Sequence, residues 1–173
     1  MMPLQRRLGR LIFLLMMLVW PAIPTFAFQN EPAGFRGIKW GTNISELHDM
    51  YIVEDVGDLK FYTRVYDRLR IEDADIERIN YGFYKNRFYR VEIRFSEFSN
   101  FMRLKTAFFS QFGEGGKPHS DLEDYWWIGS TVNILMSYNE ITYRGGITLF
   151  FRPINEEKAV DDKQKAKKGA RNL

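Results

Sequence analysis

His119, Ser120 and Asp121 stand side by side in KPHSDLEDYWW, residues 117–127. These are the three residue types of a hydrolytic triad, in which a carboxylate orients a histidine that activates a hydroxyl. Consecutive residues cannot take up that geometry, because the base must reach both partners from separate backbone positions. No G-x-S-x-G turn supplies a nucleophile elsewhere. The other histidine, His48, sits beside Asp49 on a short predicted helix. The stretch therefore reads as a polar loop feeding a strand, and no catalytic residue is assigned.

Metal ligation is the next chemistry to weigh. His119, Asp121, Glu123 and Asp124 offer nitrogen and oxygen ligands, as do Glu72, Asp73 and Asp75. Neither run has the spacing of a calcium loop or of an H-E-x-x-H zinc helix. Solvated loop charge is the expectation, with no metal and no cofactor. GEGGK, 113–117, has the glycines and lysine of a phosphate loop. It follows a predicted helix instead of a strand, and Pro118 occupies the place of the required Ser or Thr, so that reading fails.

The elements that would position any site begin after a leader. Arg6, Arg7 and Arg10 precede an apolar run from Leu11 to Trp20, and Thr25-Phe26-Ala27 has small residues at the two positions a signal peptidase inspects. This pattern predicts a secretory signal over residues 1–27, cleaved after Ala27, and an exported chain that is periplasmic or secreted. An uncleaved anchor is the alternative reading, though Pro21 and Pro24 interrupt a run barely long enough to span. No cysteine follows the run, which excludes an N-terminal lipid anchor.

Three of the 25 basic residues leave with the leader, bringing the balance to 22 against 22. The alkaline isoelectric point is thus no argument for nucleic-acid binding. About 146 residues remain, enough for one domain with its own core and without disulfides. Residues 28–154 read as a single α+β domain. The lysine-rich stretch 155–173 reads as a charged disordered tail.

Within the domain, Asn43 and Glu46 form a capping box for a short helix over Ile44 to Met50. LKFYTRVY, 59–66, alternates, with Leu59 and Phe61 assigned inward and Tyr62 and Arg64 outward. Strands 76–83 and 88–95 pair through a three-residue loop, Lys85 to Arg87. That loop puts Ile79, Tyr81 and Phe83 opposite Ile93, Val91 and Tyr89, keeping both apolar sets on one face. A helix follows with Ser99 as cap, Phe101, Leu104, Phe108 and Phe112 on one side, and Gly113 as its stop. YWWIGSTVNILMSY is a hairpin turning at Gly129-Ser130, with Trp127 facing Val132 and Tyr125 facing Ile134. ITLFFR is the last strand, with Ile147, Leu149 and Phe151 inward. The order αβββαβββ predicts an antiparallel sheet of about six strands with two helices on one face.

That arrangement leaves an outer face assigned Tyr62, Arg64, Tyr66, Tyr84, Phe88, Arg90, Arg94, Trp126, Phe150 and Arg152. An open face ordinarily alternates polar residues. Aromatics interleaved with arginines are instead the composition of binding hot spots. The same residues also serve as cross-strand pairs that stabilise a sheet.

F-R-G-I-K-W-G-T, I-N-Y-G-F, F-Y-R-V-E-I-R-F, F-G and a late W-x-x-x-x-x-V-N-I-L together resemble small exported bacterial proteins of unknown function, over most of residues 35–151. In layout the chain is also similar to outer-membrane assembly lipoproteins and β-lactamase-inhibitor-like folds. These resemblances imply an envelope module and carry no catalytic residues. The expectation is a non-catalytic binding or interaction module of the bacterial envelope, acting through the aromatic and arginine face on an envelope protein or glycan. The alternatives are a hydrolase of envelope polymer using carboxylates near Asp121 to Asp124, and a self-associating structural protein or homodimer. Nucleic acid is not an expected partner, and membrane contact is expected only through an uncleaved leader.

Overall fold

A computed structural model describes residues 28–170. The predicted leader lies outside the described residues. The N-terminal segment forms a small hairpin, β1 (Gly34–Phe35) and β2 (Ile38–Lys39). Its two turn residues, Arg36 and Gly37, both have positive φ, the backbone of a tight two-residue turn. Trp40 then stacks on Phe88, with ring centroids 4.8 Å apart, and its indole nitrogen donates to the Pro32 carbonyl at 2.7 Å.

The capping box forms as expected: Ser45 N donates to Asn43 Oδ1, and Asn43 N donates to Glu46 Oε1. The helix it starts is shorter than expected, one 3₁₀ turn over Ile44–Glu46. The chain then extends into a strand that periodicity did not reveal, β3 (Met50–Val56), exposed along nearly its whole length. It pairs with β4 (Leu59–Arg64). A second small hairpin, β5 (Arg70–Ile71) and β6 (Ala74–Asp75), leads to β7 (Arg78–Tyr84) and β8 (Arg87–Ser96). Helix α1 (Phe98–Phe112) follows, then β9 (Glu123–Ile128), β10 (Val132–Asn139), β11 (Arg144–Phe151) and helix α2 (Arg152–Ala170).

The class is α+β. Seven antiparallel strands run in the order β3-β4-β7-β8-β11-β10-β9. One more strand is present than expected, because β3 adds an edge. Phe101, Leu104 and Phe108 of α1 pack on the inner face against Ile79, Tyr81, Val91, Ile93, Ile134 and Trp127. The cap of helix α1 lies two residues before the expected Ser99, at Glu97, which makes no capping side-chain bond and has φ of 71°. Asn100 anchors this end instead: its amide donates to Ser96 O, and its carbonyl accepts from Asp75 N.

The β7–β8 hairpin resolves a conflict between turn length and register. Its turn has two residues, Lys85 and Asn86, both with positive φ, and not the expected three. Phe83 therefore opposes Phe88 and not Tyr89. A bulge at Tyr89 then restores Tyr81 opposite Val91 and Ile79 opposite Ile93, the expected pairs. Burial of both apolar sets fixes the register, and the extra residue absorbs the mismatch.

The β9–β10 hairpin is shifted by two residues, with Trp127 opposite Ile134 and Tyr125 opposite Met136. An even shift preserves which side chains face the core. The longer turn wraps the Glu31 carboxylate, which accepts from Thr131 N at 2.9 Å and Thr131 Oγ1 at 2.6 Å.

The expected disordered tail is instead largely α2. Pro153 suits its first turn, where no backbone donor is needed. Ile154 packs on Tyr84 and Tyr89, which emerge on the outer face beside Leu59. Lys85 pairs with Glu157 and Asp161, Arg87 with Glu157, and Lys165 with Asp58. The helices thus do not share a face: α1 covers the inner side, and α2 covers one end of the outer side.

Candidate functional site

Beyond the reach of α2, side chains of five strands form three cross-strand rows on the outer face. The first row is Gly82, Arg90, Phe150, Asn133 and Ile128. The second is Asn80, Glu92, Thr148, Leu135 and Trp126. The third is Arg78, Arg94, Gly146, Ser137 and Asp124. Trp126 and Ile128 are the most open apolar members, 45% and 58% exposed. Phe150 and Leu135 are half-buried beside them. Arg90 is held by Glu92 at 2.6 Å.

Four of the residues assigned from sequence therefore meet on this face: Arg90, Arg94, Trp126 and Phe150. The other six go elsewhere. Phe88 is fully buried in the core, turned inward by the bulge that follows it. Tyr84 does face outward, but α2 seals it and its hydroxyl donates to Asp161 at 2.7 Å. Burial, the bond to Asp161 and its charge push the phenol up to about 12. Arg152 clamps the β9–β10 turn through Gly129 O at 2.8 Å.

Tyr62 and Arg64 lie on the opposite side, because the two faces of β4 are reversed relative to the alternation. Tyr62 meets Phe83 edge-on across 5.2 Å. Phe61 turns outward into the slot above Gly82, where an added Cβ would lie 3.1 Å from Phe61 Cε1. A phenylalanine on either face of a strand looks alike in sequence; the glycine opposite decides which face can bury it. Arg64 forms an ion pair with Asp49 and donates to the Arg36 carbonyl. Nearby, Tyr81 donates to Asp67, which also pairs with Arg36. Burial and that acceptor raise the Tyr81 phenol. Tyr66 stands alone in a turn with φ of 59°, fully exposed.

The polar loop of residues 117–122 is exposed at His119, Ser120 and Asp121. Glu123 points inward, where Tyr125 donates to it at 2.7 Å and Lys105 and Lys117 flank it. Burial pushes this carboxyl up, but the Tyr125 and Lys117 hydrogen bonds and the Lys105 charge outweigh it and hold the group below the usual range. Asp124 points to the outer face. Neighbouring carboxylates on opposite sides of a strand cannot flank one bond, as a glycosidase pair must. Among the described residues no cluster of three His, Asp or Glu is placed to hold a metal ion.

Two cavities stand out among the described residues. One, about 970 Å³, lies on the helix side between α1 and the β1–β2 and β5–β6 hairpins, with Phe35, Ile71 and Phe112 in its wall. The arginines at its rim are engaged: Arg36 with Asp67, Arg70 with Asp73, and Arg103 with the Asp73 carbonyl. The other, about 870 Å³, occupies the lower corner of the outer face and includes Arg78, Arg94, Arg144, Ser137 and Asp124. Among the described residues these three arginines make no ion pair.

The chain matches no protein-family model, no curated protein and no solved structure. Among the described residues no helix is long and apolar enough to cross a membrane.

Arg78, Leu135, Ile128 and Arg144 belong to the outer surface and were not singled out from sequence. Period-two alternation places each of them there once Ile79, Ile134, Trp127 and Gly145 are assigned inward. The signal was present, but only part of the outward-facing set was singled out from it.

Proposed function

We propose that this protein is a non-catalytic binding module of the bacterial cell envelope, and that its working surface is the uncovered part of the outer sheet face. One observation carries the reading. Trp126 and Ile128 are held open to solvent beside Leu135 and Phe150, on a sheet whose other face carries the core beneath α1. Exposed aromatic and aliphatic anchors next to arginines are the composition from which binding surfaces draw their affinity. A flat, preformed platform also binds without the cost of ordering loops. The secretory pattern read over residues 1–27 supports the envelope as its place of action.

The test uses the mature chain, residues 28–173, and a purified envelope fraction in a co-sedimentation assay. Trp126→Ala with Ile128→Ser lowers retention at least about tenfold, as loss of central anchors does elsewhere. Its melting temperature stays near wild type. Equal retention by a folded double variant removes this face from consideration.

Self-association is the second reading, and β3 is the observation that favours it. This edge strand exposes Tyr51, Ile52 and Val53, and a register break between Ile52 and Glu54 is its only interruption. Free edges pair with other chains unless blunted. Light scattering of wild type beside Val53→Lys decides it: a dimer that the lysine dissolves supports the reading, and a monomer at all concentrations ends it.

A further inference from the structure

We infer that the lower corner of the outer face is an oxyanion subsite, built by Arg78, Arg94 and Arg144 for the carboxylate or phosphate groups of an anionic glycan. This deepens the proposed function and rests on it.

Arg78 and Arg94 are direct cross-strand partners on β7 and β8. Like charges placed opposite each other destabilise a sheet, so this pair works against the fold. Gly146, the next residue along the same row, lets the Arg94 guanidinium lie across β11: an added Cβ there would sit 2.8 Å from Arg94 Nη1. Arg144 stands two residues along β11 from Gly146, on the same face. All three arginines border one concavity of about 870 Å³. The acids that share it, Glu77 and Asp124, form no ion pair with them among the described residues. Most other arginines of the domain have a carboxylate partner: Arg36, Arg64, Arg70, Arg87, Arg90 and Arg152 are all paired. Three unpaired guanidinium forks around one hollow complement an oxyanion, which they bind in planar, two-pronged fashion.

A glycan is the occupant that also uses the rest of the face. Trp126 ends the row next to that of Arg78 and Arg94, two residues from Asp124 on the same side of β9. Its exposed ring offers a platform for the apolar face of a sugar. Charge at one end and a ring at the other suit a chain of acidic sugars laid across the strands.

The experiment measures binding of the mature chain to polygalacturonate, to polyphosphate and to neutral dextran. Polygalacturonate is expected to bind, to weaken at high salt, and to weaken at least about tenfold in Arg78→Ala/Arg94→Ala. Lys163→Ala, which removes a charge from α2, is expected to keep wild-type affinity. Trp126→Ala is expected to weaken polygalacturonate and leave polyphosphate unchanged. Wild-type binding by the arginine variant, an equal loss in Lys163→Ala, or equal binding of dextran overturns the subsite. Tighter polyphosphate binding with no dependence of polygalacturonate on Trp126 overturns the glycan. In each of these cases the envelope-fraction assay with Trp126→Ala/Ile128→Ser still judges the face itself.

Discussion

Thr131 Oγ1 donates to Glu31 Oε2 at 2.6 Å, joining residues 100 positions apart. The Thr131 and Val132 amides donate to the same oxygen, and Ser130 N donates to Oε1. Gly129 completes the cradle, since an added Cβ would stand 2.3 Å from Glu31 Oε1. One carboxylate thus ties the N-terminal segment to the turn that displays Ile128 on the outer face.

Glu31 makes stability depend on pH. Burial pushes its carboxyl up, but the hydrogen bonds from Thr131 and Ser130 prevail and lower it from 4.5 to about 2. A group depressed in the folded state stabilises fully above its unfolded value, and that contribution is lost as pH falls through the folded value. Glu31→Gln should therefore cost about 1–2 kcal/mol at pH 7, allowing for solvent screening. The gap from wild type should narrow steadily between about pH 4.5 and pH 2. Urea unfolding of both proteins at pH 7 and pH 2.5 checks it, and an unchanged gap at the lower pH contradicts the role.

The adjacent tryptophans should behave as opposites. Trp127 is buried against Phe108 and Phe109, and its indole donates to Gly113 O at 2.8 Å. Trp127→Ala should cost about 3–5 kcal/mol, as large buried aromatics do. Trp126→Ala should change stability by less than about 1 kcal/mol, since it leaves no internal cavity. Chemical denaturation followed by circular dichroism separates the two.

Helix α2 should contribute to folding. Ending the chain after Arg152 removes Ile154 and uncovers Tyr84 and Tyr89. Lost apolar burial of this size costs about 2–4 kcal/mol. Tyr84 should also titrate near the ordinary value of about 10 once burial and Asp161 are gone, where the intact protein holds it at about 12. An ultraviolet pH titration reads the phenol directly. A truncated protein with unchanged stability and unchanged titration would mean that the helix does not dock.

What the sequence made legible is what burial enforces. The pairs Ile79 with Ile93 and Tyr81 with Val91 follow from two apolar sets that must share a face. The helical face of Phe101, Leu104 and Phe108 follows in the same way. The reversed faces of β4 were hidden because Phe61 finds its slot in a glycine of another strand. Strand β3 was hidden because it buries nothing and so shows no alternation. The helicity of α2 was hidden because its apolar anchor is a single residue, Ile154, meeting tyrosines 70 and 65 positions earlier. Alternation alone put Arg90, Arg94, Trp126 and Phe150 on the outer surface. Which aromatics remain uncovered depended on a bulge and a docked helix.

The β7–β8 turn offers a gain in stability. Lys85 and Asn86 both hold positive φ, at 47° and 66°. Glycine takes such a backbone without the strain of a Cβ, and Asn-Gly is favoured in turns of this kind. Asn86→Gly should raise stability by up to about 1 kcal/mol while leaving the Asn86 carbonyl free to accept from Ile44 N. Lys85→Pro should do the reverse, because its ring fixes a negative φ. Thermal unfolding of the two variants gives the comparison.

Gly145 and Gly146 are neighbours on β11 with opposite duties. An added Cβ at Gly145 would lie 2.2 Å from Phe95 Cζ and 2.8 Å from the Ser137 carbonyl. Neither can retreat: the Phe95 ring is stacked on Tyr138, and the carbonyl belongs to the adjoining strand. Gly145→Ala should therefore destabilise by about 1–3 kcal/mol, the usual cost of overpacking. At Gly146 the closest obstacle is Arg94 Nη1, the free end of a flexible side chain. Gly146→Ala should cost less than about 1 kcal/mol, but it lifts the guanidinium off the strand and out of register with Arg78 and Arg144. If the corner holds an oxyanion, this one methyl group weakens polygalacturonate binding several-fold in a protein that still unfolds like wild type. If binding is unaffected, the position of Arg94 over Gly146 serves only the sheet.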